Sequence, residues 1–321
     1  ISENGQTLRE QRREDFLKYQ LSFEYDPSAR CPLFDKYLQR VLPDTDCRKV
    51  LAEYMGYIFT TGLKLEKAAI LYGSGANGKS VFFEVVNALI GPDNICSYSL
   101  QNLTKYDSYQ RAELSNKLLN YASEINGKLE ASIFKQLVSG EPVEARQIYG
   151  RPFVMREYGK LMFNCNELPK EVENTNAFFR RFLIIPFDQI IPEKEQDPEL
   201  AAKIIRDELS GVFNWMLEGL RRLLQQRTFT RSAMIREQVE DFRRESDSVA
   251  MFLDEGGYKP DPQSCMLLKD LFYDYRSFCY ENGYTPCSLK TVSKRLKNAG
   301  YKTERRAPGY TVYVAKNVEN M

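Results

Sequence analysis

Between residues 8 and 66 the apolar side chains recur at helical spacing. Leu33, Tyr37, Leu38 and Val41 precede Pro43, and Val50, Leu51, Tyr54, Met55 and Ile58 precede Gly62, which predicts two amphipathic helices. From Lys67 to about Pro186 the period changes. Short apolar runs at 68–72, 118–122, 161–165 and 182–186 alternate with helical patterns. That alternation predicts an α/β domain with a mostly parallel sheet flanked by helices. Residues 198–255 return to helical spacing, with Trp215, Leu217, Leu220, Leu223 and Leu224 on the apolar face. Further on, Leu268, Leu271, Phe272, Tyr275 and Phe278 mark one helix and Leu289, Val292 and Leu296 a shorter one. Residues 301–303 and 310–314 then flank the turn Ala307-Pro308-Gly309 as a hairpin. Helix, helix, hairpin is the layout of a winged helix. The expected domains are a helical part at 1–62, a nucleotide-binding core at 63–192, a helical lid or linker at 193–260 and a winged-helix-like part at 261–321.

Composition narrows the chemistry more than the class. The 321 residues are 43% hydrophobic and 28% charged, ordinary for a globular chain, but histidine is absent. Ser-His-Asp and Cys-His catalysis, haem histidines and His-containing zinc sites are thereby excluded. The seven cysteines are scattered and odd in number, without a C-x-x-C pair, which points to a reducing, cytoplasmic setting rather than a disulfide framework. No apolar run approaches the roughly 18 to 20 residues of a membrane span. The chain opens Ile-Ser-Glu-Asn-Gly without an initiator Met, which reads as a segment of a longer protein. Net charge is +1, yet residues 264–321 carry ten Lys and Arg against five Asp and Glu, a basic tail on a mildly acidic body.

The sharpest chemical signal is Gly73, Ser74, Gly75, Ala76, Asn77, Gly78, Lys79 and Ser80, which fits G-x-x-x-x-G-K-[ST] at every fixed position. It follows a buried-strand run and opens a helical pattern (Val81, Val85, Val86, Leu89, Ile90) that stops at Gly91-Pro92. Such glycines let backbone N–H groups converge on phosphates while the helix amino terminus adds its dipole. Lys79 would reach the β- and γ-phosphates of ATP, and Ser80 would ligate Mg2+.

A phosphate loop hydrolyses nothing without an acid. The apolar run at 118–122 leads to Ser123 and Glu124, 45 residues after Lys79; the usual second acid is replaced by Ser123. Glu124 then serves alone as the water-polarising base near Mg2+. The run at 161–165 leads to Asn166, which can sense the γ-phosphate or the attacking water. Fourteen residues on, Arg180 and Arg181 stand between Phe179 and Phe182. Arginines among aromatics need an anionic partner. Two readings stay open: a neighbouring subunit's triphosphate, as for an arginine finger, or an Asp or Glu of the same chain.

Together, residues 73–80, Ala122-Ser123-Glu124, Lys135-Gln-Leu-Val-Ser-Gly140, Arg146, Asn166-Glu-Leu-Pro169 and Arg180-Arg181 resemble the superfamily 3 helicases. More closely, the set looks like the helicase part of phage/plasmid-type primase-helicases, relatives of the poxvirus enzyme. Tyr25-Asp-Pro27, Cys31-Pro32 and Tyr54-Met-Gly-Tyr57 are similar to the helical domain that precedes that core. The resemblance implies an AAA+-like core, a homo-oligomeric ring (probable size six in that family), ATP hydrolysis at subunit interfaces and translocation on single-stranded DNA. It also implies a DNA-touching hairpin, here 143–148 and 153–157 around Tyr149, Gly150 and Arg151. Arg146, Tyr149 and Arg151 pair cations with an aromatic, a combination that tracks phosphates and stacks on bases. A bacterial, phage or mobile-element source follows from the same likeness. No primer-synthesising domain is recognisable in these residues.

In the tail, Lys290, Lys294 and Lys297 fall at helical spacing, and Lys302, Arg305 and Arg306 lie on the hairpin. That cationic face suits duplex DNA through phosphate contacts. The sequence thus predicts an ATP-dependent, replication-type DNA helicase. An alternative of another class is a DNA-binding initiator or regulator that uses ATP only to assemble; a small-molecule P-loop kinase is a third.

Overall fold

The helix that opens the ordered core begins with Pro32 at its first turn, and its leading N–H groups are taken by a distant carboxylate: Leu33 N and Phe34 N each donate to Glu208 at 3.0 Å. The computed structural model describes residues 9–10, 12–15, 18–60, 62–123, 125, 129–169 and 172–316. Two compact units divide the chain, one formed by residues 1–169 with 175–239 and the other by 170–174 with 240–321.

In the first unit α1 (Pro32–Val41) and α2 (Thr45–Tyr57) are followed by β1 (Ala68–Tyr72), α3 (Lys79–Ile90), β2 (Ile95–Cys96), α4 (Leu100–Thr104), β3 (Leu119–Ala122) and α5 (Ala131–Ser139). Then come β4 (Val143–Arg146), β5 (Pro152–Met155), β6 (Lys160–Cys165), α6 (Asn176–Phe179), β7 (Phe182–Pro186), α7 (Leu200–Asp207) and α8 (Leu209–Gln226). Helix α9 (Ala233–Glu245) runs across the boundary. The central sheet has the order β2-β3-β6-β1-β7, and every pairing in it is parallel. This is a mixed α/β fold with a parallel central sheet, the arrangement of a nucleoside-triphosphatase-like core. β1 and β7 are buried on both faces, which is why their sequences read as continuous apolar runs instead of alternating ones.

Phe34, Leu38, Val41, Tyr54, Met55, Phe82 and Val85 join the sheet in one apolar core. The apolar face of α1 therefore starts at Phe34. Leu33, expected on that face, is 39% exposed, because the chain reaches Glu208 at this point and turns Leu33 outward. α2 and α8 approach closely where Gly219 faces Ala52, since a Cβ there would lie 2.3 Å from the Ala52 carbonyl oxygen. Beside this contact Glu53 is wholly buried. Its carboxylate accepts from Arg222 Nε at 2.7 Å, Thr230 N at 2.7 Å and the Thr230 hydroxyl at 2.6 Å.

The antiparallel pair β4–β5 runs in register from Val143↔Met155 to Arg146↔Pro152. Its buried base is tied down by Arg111, whose guanidinium donates to the carbonyls of Leu103, Lys105 and Glu144.

The second unit contains α10 (Ser248–Glu255), β8 (Tyr258–Leu267), α11 (Leu268–Glu281), α12 (Leu289–Asn298), β9 (Thr303–Arg306) and β10 (Gly309–Lys316). Asp247 caps α10 and Ser288 caps α12 through their side chains. β8, β10 and β9 form an antiparallel sheet in that order, with Gly309 opposite Arg306 across the tight turn. Its core unites Phe252, Leu271, Tyr275, Val292, Leu296, Val312 and Val314. Leu289, expected on the apolar face of the short helix, is 40% exposed because it sits in the first turn beside the Ser288 cap.

Candidate nucleotide-binding site

The predicted phosphate loop lies between the carboxyl end of β1 and the first turn of α3. Gly78 is the pivot. It adopts φ +83°, a left-handed conformation that L side chains rarely take, and an added Cβ would meet Val41 and Tyr37 at 2.8 and 2.9 Å. Tyr37 also donates its hydroxyl to the Gly78 carbonyl at 2.8 Å, so α1 braces the loop from behind. On the other side Asn77 Nδ2 donates to Phe187 O at 2.8 Å and Ile191 N to Ala76 O at 2.8 Å. The loop is thereby pinned to the segment leaving β7.

Lys79 is 6% exposed and, among the described residues, has no carboxylate at salt-bridge distance; its ammonium donates to Gly73 O at 2.6 Å and Asn77 Oδ1 at 3.1 Å. Burial lowers its pKa, while the nearby Cys165 and Asp188 oppose that shift. Asp188 in turn has its carboxyl pKa raised by burial and pulled back by Lys79. A cation held only by neutral oxygens is ready to exchange them for an incoming anion.

Around it opens a cavity of about 700 Å³. Loop residues from Gly75 to Ser80 form its floor, Ser123, Asn164 and Asn166 one wall, and Glu84, Glu193, Glu195 and Asp197 an acidic margin. Tyr37, Phe83, Ile191, Leu200 and Ala201 supply apolar lining. Ser80 and Asn166 are exposed within it. Glu124, the expected base, lies outside the described residues; the preceding Ser123 lines the cavity. Among the described residues no group of three or more Cys, Asp and Glu forms a metal cage.

Sequence reasoning passed over three contributors. Asn164 is buried in β6 and accepts from the Tyr121 hydroxyl at 2.7 Å, which fixes the wall next to Asn166. Tyr37 and Asp188 are the others. No spacing signal announces them, because each acts on a loop far away in sequence.

Arg180 and Arg181 are not at this cavity. They immediately precede β7, and β7 runs parallel to β1, so they mark the opposite end of the sheet. The length of β1 between them and the loop is about 15 Å at ~3.3 Å per residue. The two differ. The Arg180 side chain is 52% exposed and contacts Glu66 at 2.6 Å. Arg181 is buried, donates to Ser139 Oγ at 3.0 Å and to the Ala177 carbonyl, and meets Glu66 at 3.3 Å. Arg181 as a group facing a neighbour is thus corrected: its guanidinium is committed within its own chain. Both arginines reach the same-chain acid Glu66, and the Arg180 side chain stays half exposed beside it.

On the β4–β5 hairpin Tyr149 is fully exposed at φ +59°, and Arg151 is exposed beside it. Arg146 is exposed too, but its Nε donates to Gly150 O at 3.0 Å and so braces the turn. In the second unit Lys290, Lys294 and Lys297 are exposed on α12. Arg305 is exposed on β9, whereas Arg306 reaches Glu304 at 3.2 Å and lies over the Tyr313 ring at 5.3 Å.

Residues 71–181, from the end of β1 through the arginine pair, match a protein family described as a family of unknown function (DUF5906). Over 320 residues the chain is 23% identical to "Putative helicase 121R" of Invertebrate iridescent virus 3, covering 87% of this chain and 34% of that protein. It is 26% identical over 159 residues to "Putative helicase L207/L206" of Acanthamoeba polyphaga mimivirus, covering 47% of this chain and 16% of that protein. The chain therefore spans about a third and a sixth of these relatives. Among solved structures, the A-form apo structure of the NrS-1 C-terminal region aligns with TM-score 0.54 and 14% identity, over 92% of this chain and 79% of that one. A second apo structure of that region (305–718) gives 0.51 and 12%, with the same coverage. At these identities the likeness is one of fold. The chain is similar to viral proteins that carry helicase names, and it shares the fold of the NrS-1 region. Among the described residues no helix is long and apolar enough to cross a membrane.

Proposed function

We propose that this chain is the motor part of an ATP-dependent DNA helicase of replication type, of the superfamily 3, AAA+-like class. The observation that carries the reading is Lys79, buried on a glycine-pivoted loop with its ammonium on two neutral oxygens, facing a cavity walled by Ser80, Ser123, Asn164 and Asn166. The helicase names of the two viral relatives support it.

The residues fit a nucleoside triphosphate with Mg2+. The missing Cβ of Gly78 lets α1 brace the loop closely from behind, and Ser80 offers a hydroxyl at the cavity floor. Bound Mg2+ would neutralise phosphate charge as the terminal phosphoryl group departs. Lys79 would bind the β- and γ-phosphates, Glu124 would orient and polarise the attacking water, and Asn166 would report whether the γ-phosphate is present. Within the chain Arg40 lines the cavity but is paired with Glu195; Arg180 of an adjoining copy would supply a further cation, since its own loop is a strand length away. On this reading copies assemble head to tail into a ring of six.

Tyr149 and Arg151 at the hairpin tip would follow single-stranded DNA through the ring, and Arg146 would hold the tip in shape. The helix–strand–helix–helix–hairpin order of the second unit supports reading it as a winged helix. Lys290, Lys294, Lys297 and Arg305 would set it against duplex phosphates, with Arg306 and Lys302 at the margin. The test is strand separation on a forked DNA duplex with ATP and Mg2+: release of the displaced strand that requires ATP and disappears in Lys79→Ala. Duplex binding with ATP-dependent assembly but no release would assign the chain to initiators.

A further inference from the structure

The sheet end opposite the phosphate loop gathers five cations, two of which, Arg180 and Arg181, meet the carboxylate of Glu66. Lys67 directly precedes β1, Lys160 opens β6, Arg180 and Arg181 directly precede β7, and Lys64 lies on the approach to β1. Lys160 stands over the Tyr57 ring at 4.4 Å, and the Tyr57 hydroxyl accepts from Leu65 N at 3.2 Å. Lys67 donates to the Arg180 carbonyl. Glu66 sits in the middle. Its backbone is left-handed, φ +53°, a conformation that costs a non-glycine residue and turns the carboxylate toward both guanidinium groups.

The cations disturb one another. Burial lowers the Lys67 pKa and Arg180 lowers it further; burial brings Lys160 down to about 8, helped by Lys64. Among the described residues Lys64, Lys67 and Lys160 have no carboxylate at salt-bridge distance and Glu66 is shared by two arginines, so this end of the sheet keeps a positive excess that favours anions. Arg181 is anchored to Ser139 and Ala177 regardless of Glu66, while Arg180, half exposed, has Glu66 as its salt-bridge partner.

We propose that Glu66 is a stand-in for phosphate. In the free protomer it holds Arg180, and when a second copy docks with its nucleotide, Arg180 exchanges Glu66 for that copy's terminal phosphate. The inference rests on the reading of Arg180 as the group acting on a neighbour. A second copy is favoured over nucleic acid by charge complementarity. The cavity margin carries Glu84 and Glu193, together with Glu195 paired to Arg40 and Asp197 paired to Lys203. The first two acids, uncommitted among the described residues, are the partner for the basic sheet end, and the two faces lie at opposite ends of one sheet. Such a contact is heterologous and closes into a ring or runs on as a filament.

The experiment follows ATP-dependent assembly of the full chain by sedimentation velocity in Mg2+ and ATP, with turnover measured on the same samples. Glu66→Gln should lower the protomer concentration for half-maximal assembly by about threefold to fivefold, the range of an exposed ion pair. Arg180→Ala should raise it, and Glu66→Gln in the Arg180→Ala background should add no shift. An unchanged midpoint in Glu66→Gln, a fall in turnover at an unchanged midpoint, or an equal shift without Arg180 would overturn the proposal. Tighter binding of Glu66→Gln to DNA without a change in assembly would overturn it in favour of nucleic acid. A wild-type chain that stays monomeric with ATP would sink this proposal together with the helicase reading; one that assembles and hydrolyses but ignores Glu66 would sink this one alone. Should Glu66→Gln fail to fold, Glu66→Asp keeps the charge, shortens the reach by one methylene and carries the same expected direction.

Discussion

The Tyr37 hydroxyl donates to the Gly78 carbonyl at 2.8 Å, so the first helix of the core holds the last glycine of the phosphate loop. Tyr37→Phe keeps the ring that packs on Gly78 and removes only this bond. ATP affinity, read by titration with a fluorescent analogue, should fall about threefold to tenfold, because one such bond contributes ~1 kcal/mol. Unchanged affinity would show that the ring alone positions the loop.

Lys79→Ala should abolish ATP turnover, by at least about a hundredfold on the scale of a single charge-stabilising donor. Its melting temperature should stay close to wild type, since among the described residues the ammonium leaves behind two neutral acceptors and no orphaned carboxylate. Retained hydrolysis would remove the loop from the mechanism.

Arg180→Ala and Arg181→Ala should separate. The first leaves folding intact and loses hydrolysis, and mixing it with Lys79→Ala subunits should restore part of the turnover. The second lowers stability by about 2 kcal/mol, the scale of hydrogen bonds made by a charged group, measured by chemical denaturation. Identical behaviour of the two variants would contradict their different burial.

Tyr149→Ala with Arg151→Ala should retain basal ATP hydrolysis and lose its stimulation by single-stranded DNA. The logarithmic salt dependence of DNA binding should shrink by about one for the lost arginine. Stimulation equal to wild type would exclude the hairpin tip.

Lys160 sets a pH signature. Its ammonium titrates at about 8 in the folded chain because it is buried and faces Lys64, below the ordinary 10.5 it regains on unfolding. Between these values the unfolded chain binds the extra proton, so this residue's contribution to stability rises with pH from about 8 to 10.5 and is lost below. Lys160→Met should therefore be more stable than wild type at neutral pH, with the difference closing by pH 10.5. A difference that does not vary with pH would mean that the lysine is solvated.

Local chemistry explains what could be read from the sequence. β1 and β7 have the expected bounds because both strands are apolar throughout and end in turn signals. β2 escaped because it is two residues long, and β8 because Lys259, Pro260, Asp261 and Pro262 break any apolar alternation. The phosphate loop was legible since it depends on contiguous residues. Glu66 and Tyr37 were not, because their partners lie 114 and 41 residues away and only the fold joins them. The exposed Leu289 and Leu33 show the converse: helical spacing names a face but not where in the first turn it starts.

The outer strands of the sheet have a further effect. β2 offers two residues, and β7 finishes in Pro186, which has no amide hydrogen to give. Each rim of this sheet therefore offers few backbone groups to a strand laid against it. A copy that meets the central sheet at either rim would be held mainly by side chains, a reversible kind of joint that can loosen and reform without unpicking a backbone ladder.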